Sequence, residues 1–308
     1  VRPYLFLVAA GVVLVLRLVL VRLRVGGTLD ATPLLFARAP LNAVRFALRR
    51  AVGWRRGAPV HPNEDKAELF AFASDPAERA RLEARERELR EAYDLTALRE
   101  RSSCEVYREN LYVLDLLDRH VGQALRERRA PAVRAVDVGS KDFRYAFALE
   151  RFLRHASESE RKVSLVGVEI DGHVVYSDLH SRADHGEAYA RETGNPDVTY
   201  WVGDFLRRSD GDLDVVFFFF PFVLRYALVR WGLPGEHFAP EKLFAHARAL
   251  LRPGGLLVVV NHTHEERDRQ LAILAATGFE VIASAAAESA LVDYAANVAE
   301  RSITVART

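Results

Sequence analysis

The feature that most constrains this chain is an alternation in its last 180 or so residues. From about Ala132 onward, short runs of β-branched and aromatic residues recur between stretches of helical pattern. The strand candidates are RAVDV (134–138), VSLVGVEI (163–170), VTYWVG (198–203), LDVVFFFF (213–220), GLLVVVN (255–261), FEVIASA (279–285) and SITVAR (302–307). Most gaps between the first six can hold a crossover helix, although the one after VTYWVG is short. Such alternation predicts a doubly wound α/β sheet. The last pair differs. Only a short Ala/Glu-rich span separates Ala285 from Ser302, and no helical pattern follows the final strand. The expectation is therefore a seven-stranded, mostly parallel sheet whose last strand inserts antiparallel.

Three acids fall at or just past strand ends: Asp137, Glu169 and Asp204. In an open α/β sheet the carboxyl ends of the strands border a crevice at the point where strand order reverses, and ligands bind there. Gly139 follows the first strand and lets backbone approach a ligand closely. A glycine-rich nucleotide loop would carry further glycines near 141 and 143, yet those positions are Lys141 and Phe143.

Half of the 308 residues are hydrophobic and 28% are charged, enough for a substantial core. The single cysteine, Cys104, excludes an internal disulfide framework and fits a reducing compartment. The net charge of +1 hides a split. Residues 1–60 carry ten arginines against one acid, Asp30, leaving −8 on the rest. YLFLVAAGVVLVLRLVLV (4–21) is apolar except for Arg17. As a helix it would span about 27 Å, close to the roughly 30 Å of a bilayer's hydrocarbon core. Positive charge follows this run more than it precedes it, which predicts a membrane anchor with the bulk of the chain in the cytoplasm. A cleaved signal peptide and a buried core helix are the rival readings. In LNAVRFALRRAVGWRRG (41–57), Leu41, Val44, Ala47, Leu48, Ala51 and Val52 share one helical arc. That segment reads either as an in-plane membrane helix or as a helix packed on the protein body.

Residues 61–130 are charged and helix-periodic. Asp75 as N-cap with Pro76 at the first helical position starts one helix. Val106, Leu111, Leu114, Leu117 and Val121 line a stripe on another, which can cover the cleft of the following domain. The organisation expected is an anchor and basic segment (1–60), a covering helical segment (61–130) and a Rossmann-like domain (131–308).

Order and motif positions over residues 132–308 resemble class I S-adenosylmethionine-dependent methyltransferases. VDVGSKDF stands at that family's first glycine loop, VGVEID at its acid-ended second strand and VGDF at the acid after its third. LRPGGLLVVVNH is similar to the turn into its fifth strand, while ATGFEVI and RSITVART look like its closing strands. The resemblance implies S-adenosyl-L-methionine as cofactor, held by Asp137, Gly139, Ser140, Lys141, Glu169, Ile170, Asp204 and Phe205. Asp137 would meet the ammonium group, Glu169 the ribose diol, Ile170 the adenine face and Asp204 the adenine amino group. Glu169 lies 32 residues after Asp137, about ten more than such a spacing usually shows; the polar HASESERK insert (155–162) accounts for the excess.

The resemblance puts the acceptor beyond the fourth strand. Here the chain reads FFFFPFVLRYALVRWGLP, with Phe220-Pro221-Phe222 where amide-nitrogen methylating families carry a polar motif. This suits an apolar small molecule presented by the membrane, touched by Tyr112, Phe220, Phe222 and Arg225. Phe217 to Phe220 read equally as core strand. His262 and His264 in NHTHEE are candidate bases, or hydrogen-bonded loop histidines, and without a placed third ligand they do not form a metal motif. His173, His180, Arg182 and Tyr226 are further candidates for substrate contact. Hydrolase, P-loop and nucleic-acid signatures are absent. Two alternatives stand beside the enzyme: a degenerate methyltransferase fold serving as a membrane scaffold, and a nicotinamide enzyme, which would lack the closing antiparallel strand.

Overall fold

The computed structural model describes residues 33–308, apart from 129, 158 and 293–299. The apolar run 4–21 lies outside the described residues. Among the described residues no helix is long and apolar enough to cross a membrane.

The seven strands are β1 (Ala132–Val138), β2 (Lys162–Glu169), β3 (Val198–Val202), β4 (Leu213–Phe219), β5 (Leu251–Asn261), β6 (Glu280–Ala286) and β7 (Ser302–Arg307). They form one sheet in the order β3-β2-β1-β4-β5-β7-β6. β1 to β5 pair in parallel, while β7 is antiparallel to both β5 and β6. This is the arrangement expected from the alternation, and the antiparallel slot separates it from the all-parallel dinucleotide-binding sheet. The switch point falls between β1 and β4. Asp137 sits there in register with Gly167 of β2 and Phe217 of β4.

Alternate residues feed two cores, because successive strand side chains point to opposite faces. Phe217, Phe219, Val258 and Val305 join one, with Leu111, Leu114 and Leu117 of the helix Cys104–His120 and Leu149 and Phe152 of the helix Ala146–His155. Val136, Phe218, Val259 and Ala306 join the other, with Phe244 and Leu274 of the helices Pro240–Leu250 and His264–Thr277. The Phe217 to Phe219 run is thus core. The short gap after β3 holds only a 3₁₀ turn, Phe205–Arg207.

Asp75 caps the helix Pro76–Ala92 by accepting from Ala77 N, 3.1 Å away. Ser103 does the same for Cys104–His120 through Val106 N at 3.2 Å. The stripe read from the sequence, Val106 to Val121, is buried, each such side chain contributing about 1.5–3 kcal/mol.

The helix Pro33–Val52 docks on the helix Arg225–Trp231 through a face the apolar arc does not include. Asn42 donates to the Val229 and Leu233 carbonyls, at 2.8 and 3.2 Å. Phe46 is buried among Leu228, Val229 and Leu233. Arg49 makes two bonds to Asp171, at 2.9 and 2.5 Å. Beyond the helix, Arg55 Nε and the Arg56 and Gly57 amides all donate to Asp184, and Trp54 Nε1 donates to the Leu179 carbonyl. The arc itself faces outward: Val44, Leu48 and Val52 are 57, 56 and 68% exposed.

Candidate functional site

Above the switch point lies a cleft of about 1350 Å³, larger than a typical single-ligand pocket of roughly 300–1,000 Å³. One end is lined by Gly139, Lys141, Glu169, Ile170, Asp204 and Phe205; the other by Phe219, Phe220, Pro221, Phe222, Tyr226 and Trp231. Glu105, Glu109, Tyr112 and Val113 of the helix Cys104–His120 also line it.

The loop leaving β1 is pinned by the Gly139 and Ser140 amides, which donate to the Val168 carbonyl at 2.8 and 3.1 Å. Gly139, Lys141 and Phe143 all adopt left-handed backbone, with φ of +78°, +53° and +57°. The loop therefore keeps a glycine-type path at three alternate positions although two of them carry side chains. Each non-glycine residue there costs about 1–2 kcal/mol. Two contacts hold Lys141 in place: its amide donates to Glu169 Oε2 at 3.0 Å, and its carbonyl accepts from the Tyr200 hydroxyl. Phe143 turns into the core and lies on Gly167, where a methyl group would meet its ring at 2.9 Å. It does not obstruct the cleft.

Asp137 is fully buried, and neither carboxylate oxygen has a hydrogen-bond partner. Burial pushes its carboxyl up to about 8; the Tyr145 hydroxyl, close by but outside hydrogen-bond geometry, opposes the rise, and the charge of Glu169 adds to it. Glu169 Oε1 accepts from Asp171 N at 2.8 Å, and Arg182 Nη1 stands 3.8 Å away. Burial raises this carboxyl too, against the pull of Arg182. Asp204 caps the 3₁₀ turn through Leu206 N at 3.0 Å while facing the cleft.

At the other end Phe220 has φ of +60° and stacks on His262, ring centroids 3.8 Å apart. The Arg301 guanidinium lies 5.2 Å over the Phe220 ring and 5.8 Å over that of Tyr112. Desolvation by the surrounding atoms, with Arg301 adding to it, lowers the His262 imidazole to about 4, although the residue is exposed at the cleft. A histidine in that state is a neutral acceptor at pH 7.

Most residues singled out in the sequence meet at this cleft, with four differences. Asp137 and Ser140 are buried beneath the lining. His264 is exposed at the start of its helix and is not part of the cleft. Arg225 is absent from the lining too; its guanidinium borders Gly235. Tyr112 reaches the cleft, but its hydroxyl is taken up by the Ala287 carbonyl at 3.0 Å. The sequence reading missed Tyr145, Glu109 and Arg301. Tyr145 follows the glycine-type loop and stacks edge-on against Phe219. Arg301 sits one residue before β7, a position with no motif to mark it.

No protein-family profile and no curated protein matches the chain. Among solved structures, it resembles geranyl diphosphate C-methyltransferase from Streptomyces coelicolor A3(2), at 12% identity over 87% of this chain and 98% of that one, with a TM-score of 0.47. A S-adenosylmethionine-dependent methyltransferase from Aquifex aeolicus matches at 12% identity over 62% and 91%, TM-score 0.41. A TehB-like methyltransferase from Corynebacterium glutamicum matches at 18% over 60% and 86%, TM-score 0.36. Likenesses this distant add nothing to the sheet order and cleft described above.

Proposed function

We propose that this chain is a S-adenosylmethionine-dependent methyltransferase acting on an apolar small molecule, attached to a membrane on its cytoplasmic side. The observation that carries the reading is Asp137: a buried carboxylate with two unpartnered oxygens, below a left-handed glycine, at the switch point. A buried acid without partners is costly, and a cationic amino-acid group reaching it through the loop would offset that cost. Glu169 keeps acceptor capacity at the cleft for a ribose diol. Ile170 and Phe205 offer apolar surface to a purine, and Asp204 an acceptor beside it. The cofactor supplies an electrophilic methyl group on a sulfonium centre.

The residues of this chain then position and deprotonate. The Phe219–Phe222 wall, Tyr226 and Trp231 bind an apolar acceptor and exclude water. His262, neutral and stacked in place by Phe220, accepts the proton the acceptor loses as the new bond to the methyl forms. Holding the acceptor nucleophile about 3 Å from the methyl carbon is the larger part of the task.

The membrane part of the reading rests on the outward arc Val44, Leu48 and Val52, the apolar run 4–21 that precedes it, and the basic charge of residues 1–60. Titration of the detergent-solubilised chain with S-adenosylhomocysteine, followed by incubation with labelled S-adenosylmethionine and a lipid extract, tests the whole. Binding with label transferred to an apolar product supports it. Binding without transfer favours a scaffold, and no heat at millimolar ligand sinks the cofactor assignment.

A further inference from the structure

A row of four side chains joins the loop after β2, and the helix Arg182–Glu192 that follows it, to the segment beyond the first helix. Glu192 Oε1 lies 2.6 Å from His61 Nδ1, and His61 Nε2 is 3.1 Å from His185 Nδ1. His185 Nε2 is in turn 3.0 Å from Asp178 Oδ2. His61 also stacks on Tyr189 at 3.9 Å, which fixes its ring plane. The row has three gaps, and both of its ends are carboxylates that only accept. Two neutral imidazoles bring one N–H each. If His61 donates to Glu192, it must accept from His185 Nδ1–H. His185 Nε2 then aims a bare lone pair at a carboxylate oxygen. The last gap needs a positive charge, either a third proton or a metal ion.

The surroundings favour the ion. A second imidazole, His180, points its buried Nδ1 at the same oxygen from 3.3 Å without meeting hydrogen-bond geometry. Asp178, His180 and His185 each offer one ligand atom, and the three atoms lie within 4.8 Å of one another. Ligand bonds of about 2.0–2.1 Å at tetrahedral angles place neighbouring donors roughly 3.4 Å apart, and two of the three separations here are already 3.0 and 3.3 Å.

We propose that Asp178, His180 and His185 form a site for a divalent transition-metal ion, zinc by the chemistry of its ligands, with His61 and Glu192 orienting His185 from behind. Two imidazoles and a carboxylate suit zinc or its neighbours in the first transition row. A ring nitrogen held by a partner on its far side is the usual support for a ligating histidine. Asp178 is 46% exposed on its side chain, so water can complete the shell. The Asp178 and Leu179 carbonyls also hold Arg56 and Trp54. The ion would therefore stiffen the loop on which the basic segment docks, a structural role separate from methyl transfer.

The test uses the whole chain, stripped with a chelator and titrated with Co(II) and then Zn(II) while visible absorbance is followed. Ligand-field bands that saturate at a stoichiometric ratio and vanish on Zn(II) addition are expected. His185→Ala should abolish them. His180→Ala leaves the four-residue row intact, so it should weaken Zn(II) at least about tenfold while the metal-free melting temperature stays unchanged. Absence of Co(II) bands from a chain with wild-type circular dichroism would overturn the proposal and leave a proton in the gap. Equal metal binding by wild type and both variants would overturn it as well.

Discussion

The two ends of the cleft are built from different materials. Near β1 to β3 the surface is made by backbone and by acids whose oxygens are largely fixed: Glu169 bridges the Lys141 and Asp171 amides, and Asp204 caps its turn. Beyond β4 and β5 it is made by side chains, with Phe220, Phe222, Tyr226, Trp231 and His262 contributing rings. A backbone-built wall recognises one ligand shape and tolerates little change. A wall of rings can be re-cut one residue at a time, so under the proposed function acceptor choice would belong to that end and cofactor choice to the first.

Substitutions at each end can break this contrast. The largest effect is expected for His262→Ala: turnover falls about 100–1,000-fold with S-adenosylhomocysteine affinity unchanged. Because desolvation holds the wild-type imidazole near 4, the wild-type rate should show no histidine step between pH 6 and 8 and should decline only toward pH 4. A rate step near pH 6.5 would remove His262 from the role of base.

Asp137→Asn should weaken S-adenosylhomocysteine about 100-fold by calorimetry, near the upper end for a hydrogen bond to a charged group. Its stability effect has the opposite sign. The folded-state value of about 8 lies above the ordinary value near 4, so the carboxyl's favourable contribution is complete below pH 4 and is lost as pH climbs through 8. The ligand-free variant should therefore melt higher than wild type at pH 8, and the difference should shrink toward pH 4. A variant that melts lower at pH 8 would make Asp137 a structural acceptor.

Phe220→Ala should lower kcat/KM for an apolar acceptor roughly 30-fold, a loss of ring contact and of His262 stacking, and leave cofactor affinity within about twofold. If affinity for S-adenosylhomocysteine fell equally, the two ends would not be separable. Leu48→Glu, in a chain starting at Pro33, should reduce co-sedimentation with anionic vesicles about tenfold without changing the melting curve. The smallest effect is expected for Lys141→Gly, which relieves a left-handed side chain and should stabilise the ligand-free fold by about 1 kcal/mol in denaturant melts.

The sheet was legible because each strand carries its own pattern, and β7 could be placed because only a short Ala/Glu-rich span separates it from β6. β5 begins earlier than its apolar run suggests, since Leu251 to Gly254 extend it, with Pro253 and Gly254 exposed. Acids at strand tips were visible, yet only the folded structure shows that Asp137 lies under the lining rather than in it. The first helix shows the limit most clearly. Its arc was readable, but periodicity says which residues share a face and not whether that face meets protein. Asn42 and Arg49, polar in the sequence, make the dock, because Val229, Leu233 and Asp171 present matching groups. The histidine row joins His61 to residues far along the chain, and no local spacing signals it.

The slot between β5 and β6 has a consequence for how the chain reaches its final form. Residues 302–307 fill a gap between two strands that precede them, so neither neighbour can close its edge until that segment arrives. During synthesis β5, with its row of buried valines, must wait beside an open template for association. Completion is thus late and rests on distant contacts, and a nascent chain stalled before residue 302 would be a natural client for chaperones.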